Sequence, residues 1–236
     1  MVNAIGWLGE ILGLSETFVA HHLHVFTTLF VTLVIAVLAL LAWRRLRDTE
    51  ACVVPSDRPT LAGLFELIVE LVLGLMRDIM GKRADKYFPL LGALFIYLLV
   101  SNLIGVVPGF VPPTDNINTT LACGIVIFIY YNVVGIKAQG IVGYLKHMTG
   151  PVLWLAPLML AIELVSHLVR PASLSVRLFG NMTGDHLVLE MFSGLIPLVL
   201  PVVFMCLAIF VSFIQAFVFT LLSMVYIGLA TDAEAH

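Results

Sequence analysis

Between positions 163 and 190 an otherwise apolar stretch carries Glu163, Ser166, His167, Arg170, Ser173, Ser175, Arg177, Asn181, Asp185 and His186. An ionisable group in hydrocarbon costs from a few to more than ~10 kcal/mol, so by default it marks a pathway or a pairing site. The spacing is ordered. At ~100° per residue, Glu163, Ser166, Arg170, Ser173, Arg177 and Asn181 fall within about 40° of one line on a helix. One face is therefore a polar stripe holding two guanidinium groups.

Arginine side chains do not carry protons, because a guanidinium stays charged at any working pH. What a sunken arginine can do is keep a carboxylate ionised and stand as a fixed positive barrier. Glu163 lies about 21 Å from Arg177 along a straight helix axis, and Asp185 is more than two turns on. Arg177 therefore either pairs inside the bundle with Asp185 or Asp115, or meets a carboxylate of another chain. The second is expected, since Ser173, Gly180, Asn181 and Gly184 around it let a foreign helix approach closely. For Arg170 a reach to the membrane interface is the competing reading.

Groups able to relay protons are Glu163, His167, Asp185, His186 and Glu190. His186 comes nine residues after Arg177, which puts it on the opposite side of the helix, together with Glu190. Titratable groups on two sides of a fixed cation suit two water-filled entrances that never join directly. Gln215, the long polar side chain in FVSFIQAFVF, can hydrogen-bond across to the stripe or act as amide glue between helices.

The elements that must position these groups follow from composition. The chain has 236 residues, 61% hydrophobic and only 11% charged, where a soluble domain is usually about 25% charged. Long apolar runs recur without the alternation of a barrel strand, so the fold class is an all-α polytopic membrane protein. A single membrane domain, 1–236, is expected. Cys52, Cys123 and Cys206 are scattered without ligand spacing and read as small apolar fillers; no metal site or cofactor is expected.

Residues 1–24 form a weakly amphipathic lead ending in His21, His22 and His24, with no basic leader pattern. A first span at 25–43 ends in Arg44, Arg45 and Arg47, which places that end in the cytoplasm and the N-terminus outside. The stretch 61–80, with Glu66, Glu70, Arg77 and Asp78, is expected as an amphipathic helix at the interface. Spans follow at 87–107 and 118–135, the latter ending near Gly135, with Lys137 and Lys146 in the next inside loop. The segments 152–190 and 195–230 would each be about 50 Å or longer as helices, against ~30 Å of hydrocarbon. They are expected as a long, tilted two-helix hairpin turning at Ser193-Gly194. The fold is thus three spanning helices, an interfacial helix and that hairpin, with the C-terminus cytoplasmic.

The run Ser173-Leu174-Ser175-Val176-Arg177-Leu178-Phe179-Gly180-Asn181 fits S-L-x-x-R-L-F-G-N and resembles the signature of subunit a of F-type ATP synthases. Gln215 to Tyr226 is similar to that family's Q-A-F-x-F-x-x-L-x-x-x-Y, and Glu163 and Arg170-Pro171 resemble it too. The resemblance runs from about residue 20 to the end. It implies a non-catalytic, proton-translocating stator subunit of the bacterial plasma membrane, working with a ring of c subunits, peripheral-stalk b subunits and the other synthase subunits. Arg177 would face the ring carboxylates. Asn181, Asp185, His186 and Gln215 would line a half-channel open to the outside; Glu163 and Ser173 would belong to one open to the cytoplasm. The ion would be H⁺, with Na⁺ left open because the ring supplies most ligands. Members of the family carry Glu or His at the position of His186, and here Asp185 precedes it. Many also have a histidine seven residues before the glutamine; this chain has Ala208.

The rival class is a secondary transporter with Arg177 binding an anionic substrate. It calls for matched halves with broken helices, and neither is visible. An intramembrane hydrolase lacks H-E-x-x-H, G-x-S-x-G and paired aspartates. Nothing points to nucleic acid.

Overall fold

In hydrocarbon a backbone has no partner but itself, and this chain answers with helices. The computed structural model describes residues 16–46, 61–107, 109–149, 156–193 and 199–231. Its helices are α1 (Glu16–Leu46), α2 (Leu61–Met80), α3 (Ala84–Ile104), α4 (Ile117–Thr149), α5 (Ala156–Ser193) and α6 (Val199–Thr231). Among the described residues, five stretches are long and apolar enough to cross a membrane: His22–Trp43, Ala84–Ile104, Ile117–Ile141, Pro157–Phe192 and Pro201–Thr231. The protein is an all-helical, multi-pass membrane protein, and α2 falls outside that set.

The contacts divide the chain into two compact units, Met1–Pro113 and Thr114–His236. In the first, α1, α2 and α3 pack on one another through Val31, Val72, Met76, Leu91, Phe95 and Leu98, all nearly inaccessible. Thr28 and Thr32 of α1 spend their hydroxyls on the helix's own backbone: Thr28 donates to His24 O at 2.7 Å and Thr32 to Thr28 O at 2.8 Å. Those two hydroxyls therefore present no unsatisfied donor to lipid. On α2 the exposed residues include Glu66, Glu70, Arg77 and Asp78, while Val72 and Met76 are buried, as an amphipathic helix requires.

In the second unit α4, α5 and α6 pack against each other. With 38 and 33 residues, α5 and α6 are about 57 and 50 Å long at 1.5 Å per residue. Each is one helix rather than two short ones. Pro171 lies inside α5, and Pro201 sits in the opening turn of α6, where its missing N–H costs nothing.

Several boundaries differ from those read in the sequence. The stretch 16–24 is helical and continuous with the first span, so His22 and His24 sit within α1; 1–15 lie outside the described residues, as do 48–60 and the turn at Gly194. The second span begins three residues earlier and ends three earlier than expected, at Ala84 and Ile104. The third does not stop at Gly135. It runs on to a break at Gly140, where φ 72° and ψ 162° lie in a region open essentially to glycine, and resumes to Thr149. Gly135 is a packing residue instead: a Cβ there would come within 2.8 Å of Tyr144 Cε2 and 3.3 Å of Ala230 Cβ. The basic segment read as a loop is therefore helix folded back on α4.

Candidate functional site

The polar stripe does not point into the bundle. Along α5 the buried side chains are His167, Leu174, Ser175, Leu178 and Met182. Their mean direction is about 110° around the helix from the stripe. Ser173, Arg177 and Asn181 are accordingly exposed, and Glu163, Ser166 and Arg170 are half-buried. The packed face is held tight by Gly124 of α4. A Cβ there would collide with Ser175 Oγ and lie 2.9 Å from the Pro171 carbonyl oxygen. Ser175 Oγ lies 2.8 Å from Pro171 O and 3.1 Å from Thr120 O, so its proton is shared between its own helix and α4.

Arg177 stands on the outward side with no hydrogen bond or ion pair among the described residues. The internal partners weighed for it are engaged elsewhere or out of reach. Asp115 Oδ1 accepts from Thr183 Oγ1 at 2.6 Å. Asp185 falls on the packed side of α5, and its Oδ2 is buried without a hydrogen-bond partner among the described residues. His186, next along, is half-buried.

Arg170, unlike Arg177, is occupied. Its guanidinium lies 3.3 Å from Glu163 Oε1 and 5.5 Å from the centre of the Tyr226 ring of α6. The two residues are seven apart, nearly eclipsed on the helix and about 10 Å along the axis, within reach of two long side chains. The reading in which Arg170 reaches out to the interface is replaced by this inward pair.

Asn181 donates through Nδ2 to Gln215 Oε1 at 2.7 Å, which ties the stripe to α6. Gln215 is 3% exposed, whereas Asn181 is open to its surroundings, so the two ends of the bond are unequal. Asn181→Ala leaves a buried amide unpaired and should destabilise by about 1–3 kcal/mol; Gln215→Leu leaves only an exposed amide and should be near neutral. Thermal unfolding of the two variants measures the difference, and equal losses would contradict it.

A second cluster was only half legible in the sequence: Glu163 and His167 were expected as relay groups, Tyr144 and Asn132 were not. Glu163 Oε1 also lies 3.4 Å from His167 Nδ1. On the far side of the ring, His167 Nε2 is 2.8 Å from Tyr144 Oη, and that oxygen is 2.8 Å from Asn132 Oδ1. Burial pushes the Tyr144 phenol above its usual range, so it keeps its proton. Asn132 stands out as the one amide in the apolar run 121–134. Tyr144 was hidden because the chain was expected to have left the helix by then. Ser173 makes no hydrogen bond among the described residues. No group of three or more metal-binding side chains occurs among those residues.

Comparison with known proteins adds the rest. The family model described as "ATP synthase A chain" matches residues 25–228. A protein of Bdellovibrio bacteriovorus called ATP synthase subunit a is 48% identical over 77% of this chain and 79% of its own length. Two from Pelobacter propionicus, ATP synthase subunit a 3 and ATP synthase subunit a 1, are 50% and 53% identical. They cover 86% and 75% of this chain and 86% and 76% of their own.

Proposed function

The chain belongs to the ATP synthase A chain family, and on that premise we propose that it is the proton-conducting stator subunit of a rotary F-type synthase. In this reading Arg177 faces the carboxylates of the rotating c-ring. Asn181, Asp185, His186 and Gln215 line a half-channel open to the outside, and Glu163 and Ser173 one open to the cytoplasm. The observation that carries it is Arg177: exposed, on the outward side of α5, with no acid among the described residues bound to it.

A proton entering from outside neutralises a ring carboxylate. The neutral site can turn into lipid, where a charged one would cost several kcal/mol. After nearly a full turn it reaches the inner half-channel and gives its proton up near Glu163. Arg177 favours the ionised carboxylate at the moment of exchange and blocks a direct leak. Each charge that crosses releases about 2.3 kcal/mol per 100 mV. The chain itself does no ATP chemistry. Its partners are the c-ring, peripheral-stalk b subunits and the other synthase subunits. α5 and α6, both longer than the hydrocarbon is thick, lie as a tilted hairpin beside the ring. The N-terminus is outside and the C-terminus cytoplasmic, by the arginines after the first span.

The ring contact is testable by cross-linking. Ser173→Cys lies on the outward side of α5, and Leu178→Cys on the packed side. Paired with single cysteines along the outer helix of the ring, the former should form disulfides in membranes and the latter none. Cross-linking from position 178 but not 173 would reverse the orientation on which the function rests.

A further inference from the structure

We propose that His167 shares a proton with Glu163, and that Tyr144 and Asn132 act as positioning residues that hold the histidine in the one tautomer able to do so. This rests on the inner half-channel reading of Glu163 and adds a residue pair to it.

Counting donors fixes where each proton in the chain Asn132–Tyr144–His167 lies. Asn132 Nδ2 lies 2.7 Å from Phe128 O, which only accepts, so the amide's NH₂ must face that way. Its Oδ1 then faces Tyr144 Oη at 2.8 Å and can only accept. The phenol has one proton, and Asn132 takes it. The Tyr144 oxygen is left as acceptor toward His167 Nε2 at 2.8 Å, so Nε2 carries the hydrogen. In the neutral ring Nδ1 is then a bare lone pair. It is buried, without a hydrogen-bond partner among the described residues, and 3.4 Å from Glu163 Oε1. A lone pair against a carboxylate oxygen is repulsive until one proton comes between them. The pair is thus built to take up a single proton.

The balance is simple. A proton delivered from the ring makes an O–H bond at Glu163 Oε1 or an N–H bond at His167 Nδ1. Release to water breaks that bond and restores carboxylate and neutral imidazole. No electrons are exchanged, and Nε2–H stays on Tyr144 throughout. The charged and titratable groups around the ring are Glu163 and Arg170 on α5, Tyr131 and Tyr144 on α4, and Tyr226 on α6, over which Arg170 lies. Arg170 keeps the empty pair neutral overall by offsetting the Glu163 charge.

The test uses the whole synthase complex in liposomes. Turnover is measured against pH on each side of the membrane separately, for Tyr144→Phe and Asn132→Leu. Tyr144→Phe removes the acceptor for Nε2–H and so weakens the protonated ring. The pH midpoint on the Glu163 side should fall by about one unit, with the other side unmoved. Asn132→Leu keeps the phenol but frees its proton to turn toward Nε2, and should shift the same midpoint downward. In the unaltered complex, ¹⁵N spectra of histidine-labelled protein should contain an Nε2–H tautomer that disappears in His167→Gln. Wild-type pH profiles in both variants, or an Nδ1–H tautomer, overturn the proposal even where Arg177→Ala and Glu163→Gln still uncouple the complex. Coupled synthesis in those last two variants would instead remove the reading beneath it.

Discussion

Arg177→Ala should abolish proton-driven ATP synthesis while leaving the complex assembled. Arg177 is exposed and touches no acid of its own chain among the described residues. Truncating it therefore opens no cavity and orphans no buried charge, and its effect on stability should stay within about 0.5 kcal/mol. On the proposed function the loss falls on the encounter with the ring. A guanidinium about 4 Å from a carboxylate is worth about 4 kcal/mol at an effective dielectric of ~20, and a barrier raised by that amount slows exchange roughly a thousandfold. If the two proposed half-channels exist, water from them can also meet without the fixed cation, so the membrane should leak protons passively. Reconstituted vesicles carrying the variant should show synthesis near the detection limit, a faster collapse of an imposed gradient and a normal subunit content. Arg177→Lys keeps the charge but loses the planar fork, and should retain part of the activity. Coupled synthesis close to the unaltered rate in the alanine variant would remove Arg177 from the mechanism.

Arg170→Ala should behave differently, because its guanidinium is committed to Glu163 and Tyr226. That distinction between two arginines on one stripe was not available from spacing. Both lie on the same line, and only the packing of α6 decides which of them is covered. The stripe itself was legible, because a helix repeats its faces every few residues and charge is rare in a chain this apolar. That the chain is a set of long apolar helices was legible for the same reason of length and composition; it was expected as three spans and a tilted hairpin, where five helices among the described residues are long and apolar enough to cross. The ends of α4 were not. Glycine both breaks helices and lets them pack closely, and the letters do not say which. Gly135 proved to be a packing residue and Gly140, five positions on, the break. Misplacing that end put Tyr144 in a loop and hid its bond to Asn132. The bond exists only because the chain turns back at Gly140. The family signature named Glu163 but gave no reason to look at the histidine four residues later as its partner.

The second large effect is expected at Gly124, which no functional signature marks. A Cβ at this position would collide with Ser175 Oγ and lie 2.9 Å from the carbonyl oxygen of Pro171. The hydroxyl cannot simply swing away, because it is engaged at 2.8 and 3.1 Å by two carbonyls, Pro171 O and Thr120 O. The second obstacle is backbone and can move only with the helix. Gly124→Val must therefore push α4 and α5 apart. Overpacking costs about 1–3 kcal/mol, and the broken link to Thr120 adds about 1 kcal/mol. The consequence reaches the stripe. Ser175 and Arg177 are two residues apart, about 200° around α5, so pinning the first to α4 is what turns the second outward. The valine variant should accumulate poorly in membranes. Any complex that forms should show weakened cross-linking from position 173 to the ring. Gly124→Ala should be milder, and combining it with Ser175→Ala should recover part of the loss by removing the nearer obstacle while leaving Pro171 in place. Full accumulation and unchanged cross-linking of Gly124→Val would mean that close approach of these helices does not set the direction of Arg177.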